Sequence, residues 1–545
     1  MSGDVTDVLV VGGGPTGLVA ANALGQLGVN VVLVEQEDGV AELPRAVSID
    51  DEAMRLMQSL GLLEQARRVV LPGTGTKYYG ARGQLLAYGR GPERQRYGHP
   101  VKNPMDHPEF QRMLLDGLSR FENVEVRLRT RLVSFEQDEE GVHAQLVVED
   151  RPETISCRYL IGADGGRSVV RELIGQEPMA GLAFEERWLV LDTANDPHDE
   201  RFAMHHGDPT RPRVVIVGRD GRCRYEFLLH DHEQPEDEEV LALAEKLVAP
   251  HRTLDRADVV RCTIYKFYAL VAEEFSRGRA FLAGDAAHMM PPFAGQGLNS
   301  GLRDAANLCW KLGAVLQGRA GPKLLATYTV ERRPHVVATV RLSVRMGAVM
   351  MTRNRARAWA RDLAFVAGGR LPGVRGFFRE MRFKPRARYR AGFVVGPLDG
   401  RGPVGSMLVQ PRVLDAEGRF FWLDDLIGPG FGLLGIDLPP AALVGLVSPI
   451  WDRLGATRIL VGLGDKIPGR SAEISVTDAD GLLADQLGDL HGRFVLVRPD
   501  RFIVGAFAPA DERAFTSSLG RLLGAPTRQS AGDRMADVRL GKGAA

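Results

Sequence analysis

Val10-Val11-Gly12-Gly13-Gly14-Pro15-Thr16-Gly17 is the stretch on which the reading of this 545-residue chain turns. It closes an almost unbroken apolar run from Val5 and opens helical spacing from Gly17 to Leu27, after which a second apolar run, Val29 to Val34, ends at Glu35 and Gln36. That is a strand, helix, strand unit. Gly12 permits the tight turn, Gly14 lets backbone N–H groups approach a pyrophosphate, and Gly17 lets helix and strand pack closely. The helix opened by Pro15 and Thr16 presents unpaired amides that favour negative charge, and Glu35 can accept hydrogen bonds from a ribose. A bare glycine triplet could be a flexible loop; the strand, helix, strand order and the acid 23 positions after Gly12 argue instead for a dinucleotide site.

Further along, Val124 to Leu128 and Val142 to Val148 read as strands, and Tyr159 to Gly162 as a return to a buried one. From Trp188 to about Tyr268 the pattern is strand-like with polar turns, including Arg213 to Val217, Arg224 to Leu229 and Val259 to Phe267. A buried strand at Ala280 to Ala283 leads into a long helix from Gly297 to Leu316 and amphipathic helices to Arg370. The expected organisation is a discontinuous dinucleotide-binding domain (1–187 and 269–370), a sheet domain for the substrate (188–268), a linker (371–403), a small α/β domain (404–530) and a disordered tail (531–545). Gly428-Pro429-Gly430-Phe431-Gly432 lacks a surrounding strand, helix, strand unit and reads as a turn.

Composition narrows the function. Sixty-nine acidic residues balance 69 basic ones, so no global field draws in nucleic acid. No run approaches the roughly 18 apolar residues of a spanning helix, and no basic and apolar leader precedes the first strand, so a cytoplasmic protein with no membrane partner is expected. Cys157, Cys223, Cys262 and Cys309 have no paired spacing, which argues against a metal site or disulfide framework and leaves redox chemistry to a bound cofactor.

Two later segments refine the cofactor. They are Tyr159-Leu160-Ile161-Gly162-Ala163-Asp164-Gly165-Gly166-Arg167-Ser168 and Ala280-Phe281-Leu282-Ala283-Gly284-Asp285-Ala286-Ala287-His288, the latter continuing through Pro291-Pro292-Phe293-Ala294-Gly295-Gln296-Gly297-Leu298-Asn299. With the glycine motif, they make the chain resemble the class A flavoprotein aromatic hydroxylases. Arg45 to Ala53, Asn195-Asp196-Pro197, Met381 to Pro385 and Val497 to Phe502 look most like 3-(3-hydroxyphenyl)propionate hydroxylases. The resemblance implies an FAD-binding Rossmann-like domain, a β-sheet substrate domain and a thioredoxin-like C-terminal domain without redox function. It also implies that Asp285 meets a ribityl hydroxyl, that Asp164 holds a segment shared by FAD and NAD(P)H, and that Arg45 and Gln111 touch FAD phosphate or ribose. A carboxylate at a strand's C-terminal edge suits that role, although an Asp there can equally cap the next helix.

Gly295, Gly297, Leu298 and Asn299 open a helix whose amides can stabilise negative charge on a reduced flavin, and Pro292 rigidifies the approach to the ring. By the same resemblance, NADH or NADPH reduces the flavin, O₂ adds to give a hydroperoxyflavin, and an oxygen atom passes to a phenolic acid. His206, Tyr225 and Asp50 are candidates to polarise the phenol, and Arg213 and Arg224 to hold its carboxylate. Two alternatives remain open: a hydroxylase of a larger aromatic polyketide or antibiotic, and a flavin-binding sensor without turnover. The sequence is equally compatible with a monomer and a homodimer.

Overall fold

The computed structural model describes residues 6–41, 43–198, 200–396, 402–464 and 474–524; the expected tail at 531–545 lies outside them. The glycine motif sits where its pattern places it. Strand Thr6–Val11 is followed by helix Pro15–Gln26 and strand Val31–Val34, and the two strands pair in parallel. On its other side Thr6–Val11 pairs in parallel with Arg151–Gly162, which pairs in parallel with Ala280–Leu282, while Val124–Arg127 extends the far edge. Leu9, Leu33, Leu160 and Leu282 are fully buried, as expected for strands covered on both faces. A hairpin, Thr130–Gln137 with Val142–Val148, continues the first half of Arg151–Gly162 as an antiparallel flap.

The second sheet runs His288–Met289, Val259–Val271, Ala180–Thr193, Cys223–Leu228, Arg213–Val217, Phe202–His206, Gly75–Tyr79 and Leu85–Gly89. Its last two strands come from the N-terminal part of the chain, so the expected 188–268 unit is too narrow. Helix Val240–Val248 covers one face, packing on Leu191, Tyr225 and Phe227. The opposite face, with Tyr78, Trp188 and Val214, packs on Phe293 and on Met346 and Met350 of helix Thr327–Met350. This inner face therefore looks toward the dinucleotide-binding domain.

The third sheet, residues 412–507, is mixed, with Gly432–Ile436 buried and central between parallel and antiparallel neighbours. Gly428 to Gly430 form the expected turn before it. The unit docks on helix Gly297–Leu316: Trp310 meets Phe431 edge-on at 5.4 Å and Phe393 at 5.5 Å. Phe393 is fully buried and Pro372–Arg379 is a helix, so the stretch expected to be a linker is in part core. Its Arg, Pro and Gly content concealed this, because burial there comes from single aromatic side chains rather than from a periodic run.

Candidate active site

Val11, Gly162 and Leu282 end three adjacent parallel strands, so the three motifs emerge side by side at one edge of the sheet. That is the edge at which open α/β sheets bind ligands. The motifs also touch. Gly12 has φ +107°, and a Cβ there would lie 2.5 Å from the Ala163 carbonyl oxygen. Gly284 has φ +64°, and a Cβ on it or on Gly301 would fall 2.7 or 2.4 Å from Oγ1 of Thr16. Gly17 likewise admits the Gly12 carbonyl, 2.0 Å from where its Cβ would be. These glycines permit backbone approaches that any side chain would block.

The cradle leaves cofactor-facing groups unused. A Cβ on Gly14 would meet nothing within 4 Å, and the helix behind it has no side-chain cap, so its first amides face open space. Glu35 accepts the Gly13 N–H at 2.6 Å and the Glu37 N–H at 2.9 Å, while Gln36 lies exposed beside it. Gln111 donates to the Gly13 carbonyl at 2.8 Å and accepts from Ala41 N–H, bracing the loop that it was expected to border. Asp285 makes no hydrogen bond or ion pair among the described residues. Its carboxyl is accessible but walled in by protein, and this desolvation holds its pKa above the ordinary value against the pull of His288 and Arg45. An unanswered carboxylate, an uncapped helix start and an open Gly14 fit a ribityl diphosphate. The Arg45 side chain is exposed and forms no hydrogen bond or ion pair among the described residues.

Asp164 behaves differently. It accepts from Ser168 Oγ at 2.5 Å and from Val170 N–H at 3.1 Å, so it braces the start of helix Val169–Leu173, whose cap is Ser168. Behind the third motif stands a residue that sequence reading missed. Asp304, fully buried, accepts from Gly284 N–H at 3.1 Å, pairs with His288 Nε2 at 2.7 Å and accepts from Arg332 Nε at 2.7 Å. It ties the Gly-Asp turn to two helices, and its place one helical turn and a half after Asn299 was the only available signal.

The 295–299 segment is pinned from the substrate side. Asn299 accepts the Asp50 N–H at 2.9 Å and donates to the Gly295 carbonyl at 2.8 Å; Gly297 and Leu298 start the helix with no side-chain cap. Asp50 caps helix Asp51–Ser59 through Ala53 N–H and accepts from Arg303 at 2.5 Å. Burial raises its pKa, but Arg303 and Lys384 outweigh that and leave it below the ordinary value. A committed cap and ion-pair partner is a positioning group, not the proton acceptor expected of Asp50. Pro292 is exposed at the start of the turn that ends at Gly295, with φ +60°.

The other substrate-side expectations are corrected. His206, Arg213 and Tyr225 alternate onto the outer face, under helix Val240–Val248 and away from the cradle. His206 stacks on Tyr79 at 4.8 Å, and burial lowers its pKa to about 4; Tyr225 donates to Asp196 at 2.9 Å. Arg224 does face inward but is saturated. It pairs bidentately with Asp192 at 2.6 and 2.9 Å and donates to the carbonyls of Pro44 and Arg45, so it holds the Arg45 loop rather than a substrate.

The inner face instead carries one cross-strand row, Tyr78, His205, Val214, Glu226 and Val190. Burial raises Glu226 to about 7 against the attraction of Arg224, 4.0 Å away, and lowers His205 to about 3. Lys102 donates from Nζ to Thr76 Oγ1 at 2.7 Å and has no carboxylate partner among the described residues; burial, then repulsion from Lys384, lowers it to about 7. Trp188, Phe267 and Phe293 form an aromatic wall with centroids 5.6 to 5.7 Å apart. A separate cavity of about 100 Å³, beside Trp310, Tyr389 and Phe502, lies against the C-terminal unit and away from this row.

Comparison with known proteins completes the picture. Residues 5–343 match the family described as FAD binding domain, and residues 405–522 match the HcaD C-terminal domain. A 3-(3-hydroxy-phenyl)propionate/3-hydroxycinnamic acid hydroxylase of Mycobacterium avium (strain 104) is 40% identical over 522 residues, covering 92% of this chain and 89% of its own. A protein of the same description from Burkholderia vietnamiensis (strain G4 / LMG 22486) is 37% identical, covering 91% and 93%. The solved structure of aklavinone-11 hydroxylase in a ternary complex with FAD and aklavinone aligns with TM-score 0.76 at 25% identity, covering 96% of this chain and all of that one. The flavin-dependent monooxygenase PieE, in complex with FAD and substrate, aligns with TM-score 0.79 at 24% identity and the same coverage.

Proposed function

The chain belongs to the FAD-dependent aromatic hydroxylases, and from that premise we propose that it hydroxylates a phenolic acid of the 3-(3-hydroxyphenyl)propionate or 3-hydroxycinnamate type. One observation carries the reading: relatives with that activity in their names align at 37 to 40% identity across nearly the whole chain, whereas aklavinone-11 hydroxylase aligns at 25%. When bound, FAD would supply the redox chemistry of a hydroxylation that consumes a reduced nicotinamide and O₂.

The chain's own residues hold and prepare the partners. Gly14 and the amides after it receive the diphosphate, Asp285 the ribityl chain, and Arg45 the ribose or phosphate. The uncapped start of helix Gly297–Leu316 stabilises negative charge at the flavin edge. The wall of Trp188, Phe267 and Phe293 excludes water and stacks the substrate ring. Lys102 provides the cation that a carboxylate-bearing substrate needs, and Glu226, with a pKa near neutrality, accepts the phenol proton.

The test is a panel of phenolic acids and neutral phenols offered to the FAD-loaded protein with NADH or NADPH. Stimulated nicotinamide oxidation together with a product 16 mass units heavier, roughly one oxygen atom, is expected for the 3-hydroxyphenyl acids. Nicotinamide oxidation that yields only hydrogen peroxide for every acid would overturn the substrate assignment.

A further inference from the structure

One face of helix Gly297–Leu316 borders empty space. Asn299, Leu302, Ala306 and Cys309 recur along it at steps of three, four and three residues, and with Trp310 they line the cavity of about 100 Å³. Ala23, near the end of helix Pro15–Gln26, and Leu56 of helix Asp51–Ser59 form further walls. Met407, Pro499 and Phe502 of the C-terminal unit close it, which gives the Val497 to Phe502 stretch a place. The outer end lies at the exposed Gln26, which donates to the Ser59 carbonyl at 3.0 Å. The inner end lies at Asn299 and Leu302, both buried.

The lining decides what the space can hold. Its charged side chains are already answered: Glu52 by Arg303 at 2.6 Å, Arg55 by Asp424 at 2.6 Å, and Asp500 by Arg498 at 2.7 Å. Arg501 donates to the Gly428 carbonyl at 2.6 Å and stands 3.3 Å from Asp424. Trp310 Nε1, which has no acceptor among the described residues, is covered by protein. A charged guest would therefore give up its hydration without gaining a counter-ion. Size sets the second limit. An engineered apolar cavity of about 150 Å³ stays dry and takes benzene or xenon, so this one suits an uncharged guest no larger than those.

Of the three small molecules that the proposed reaction consumes, two are excluded. The phenolic acid and the reduced nicotinamide are anions, and the dinucleotide is also far too large. Dioxygen is small, neutral and apolar, and it partitions from water into apolar space. The inner end of the cavity touches the start of helix Gly297–Leu316, which the proposed function sets at the flavin edge. Resting on that reading, we propose that the cavity collects dioxygen and passes it toward the flavin along this helix, by a route separate from the substrate face of the second sheet.

Crystals of the apoprotein under xenon pressure should show xenon in the cavity, and Ala306→Phe, which fills the space, should show none. In stopped flow, the FAD-loaded protein reduced with dithionite should be reoxidised by O₂ at least about threefold more slowly in Ala306→Phe. Its flavin reduction by nicotinamide and its thermal midpoint should stay at wild-type values. Leu56→Ala widens the space and should move xenon occupancy and reoxidation the other way, so the test survives if Ala306→Phe fails to fold. Absence of xenon from the wild type, or reoxidation indifferent to both variants, overturns the proposal. So does an equal slowing of reduction and reoxidation, which would mark general damage. The substrate reading stands or falls separately. Hydroxylation of a phenolic acid with reoxidation indifferent to the variants sinks the cavity assignment alone. Slowed reoxidation in a protein that hydroxylates none of the acids upholds the cavity and sinks the substrate assignment.

Discussion

Gly14 and Asp285 are the positions where the folded chain leaves a space and a charge unanswered, and substitution there separates cofactor binding from folding. Gly14 has φ −68° and ψ 170°, an extended conformation open to alanine, and its Cβ would meet no protein atom. Gly14→Ala should leave apoprotein stability unchanged in scanning fluorimetry yet weaken FAD by at least about tenfold, because no protein atom contests that volume and the proposed placement puts the diphosphate there. Asp285→Asn should behave likewise; a large loss of apoprotein stability in either would refute the assignment. Lys102→Met should raise KM for the phenolic acid by about 30- to 100-fold, equivalent to about 2–3 kcal/mol, with little effect on a neutral 3-alkylphenol. The sign of its pH dependence follows from a pKa lowered to about 7. The ammonium form fades as pH rises through that value, so acid affinity should fall above it in the wild type and stay flat in Lys102→Met.

Elements were legible in the sequence where a period persisted. Gly297–Leu316 and Arg213–Val217 fall where their spacing placed them, and the first strand, helix, strand unit needed no tertiary information. What failed was the face. The sequence offers His206 as a candidate while the inward side chain is His205, and in a strand a shift of one residue moves a side chain to the opposite side of the sheet. Composition does not say which face meets helix Val240–Val248 and which meets the cradle. Gly432–Ile436 escaped for another reason: five residues with glycine at the first and fourth positions carry too little pattern, although the strand is fully buried. Asp304 shows how elements depend on such unpatterned residues. It joins the Gly284 turn to helices Gly297–Leu316 and Thr327–Met350, so Asp304→Asn should cost about 3–5 kcal/mol in urea unfolding by stranding Arg332. Unlike Asp285→Asn, it should lose flavin and stability together.

At the scale of the molecule, buried ion pairs join the C-terminal unit to the rest. Arg498 meets both oxygens of Glu331 at 2.8 and 2.9 Å and stands over Trp310, Tyr389 and Phe502, while Arg55 pairs with Asp424 at 2.6 and 2.7 Å. Arg498→Met should destabilise the protein by about 3–5 kcal/mol, since the buried Glu331 would lose its bidentate partner and keep Lys311, Asn307 and the Phe393 N–H. Burial acts to raise Glu331 and Asp424, but Arg498 with Lys311, and Arg55 with Arg501, outweigh it and hold both near 2. Their ordinary values are 4.5 and 3.8, so their stabilisation is complete above those values and is lost as pH falls toward 2. Thermal midpoints should start to drop below about pH 4.5, and Glu331→Gln with Asp424→Asn should flatten that slope.

The adjacency of Gly12, Ala163 and Gly284 at one sheet edge sets a timetable for biosynthesis. The nascent polypeptide can shape the glycine turn proposed for the diphosphate early, yet the side proposed for the ribityl chain is missing until Asp285 and its Asp304 tether have left the ribosome. Emergence at roughly 5–20 residues per second leaves that half-built edge waiting for tens of seconds. Flavin is thus a late guest, and cells short of it should accumulate full-length but unfilled chains rather than truncated ones.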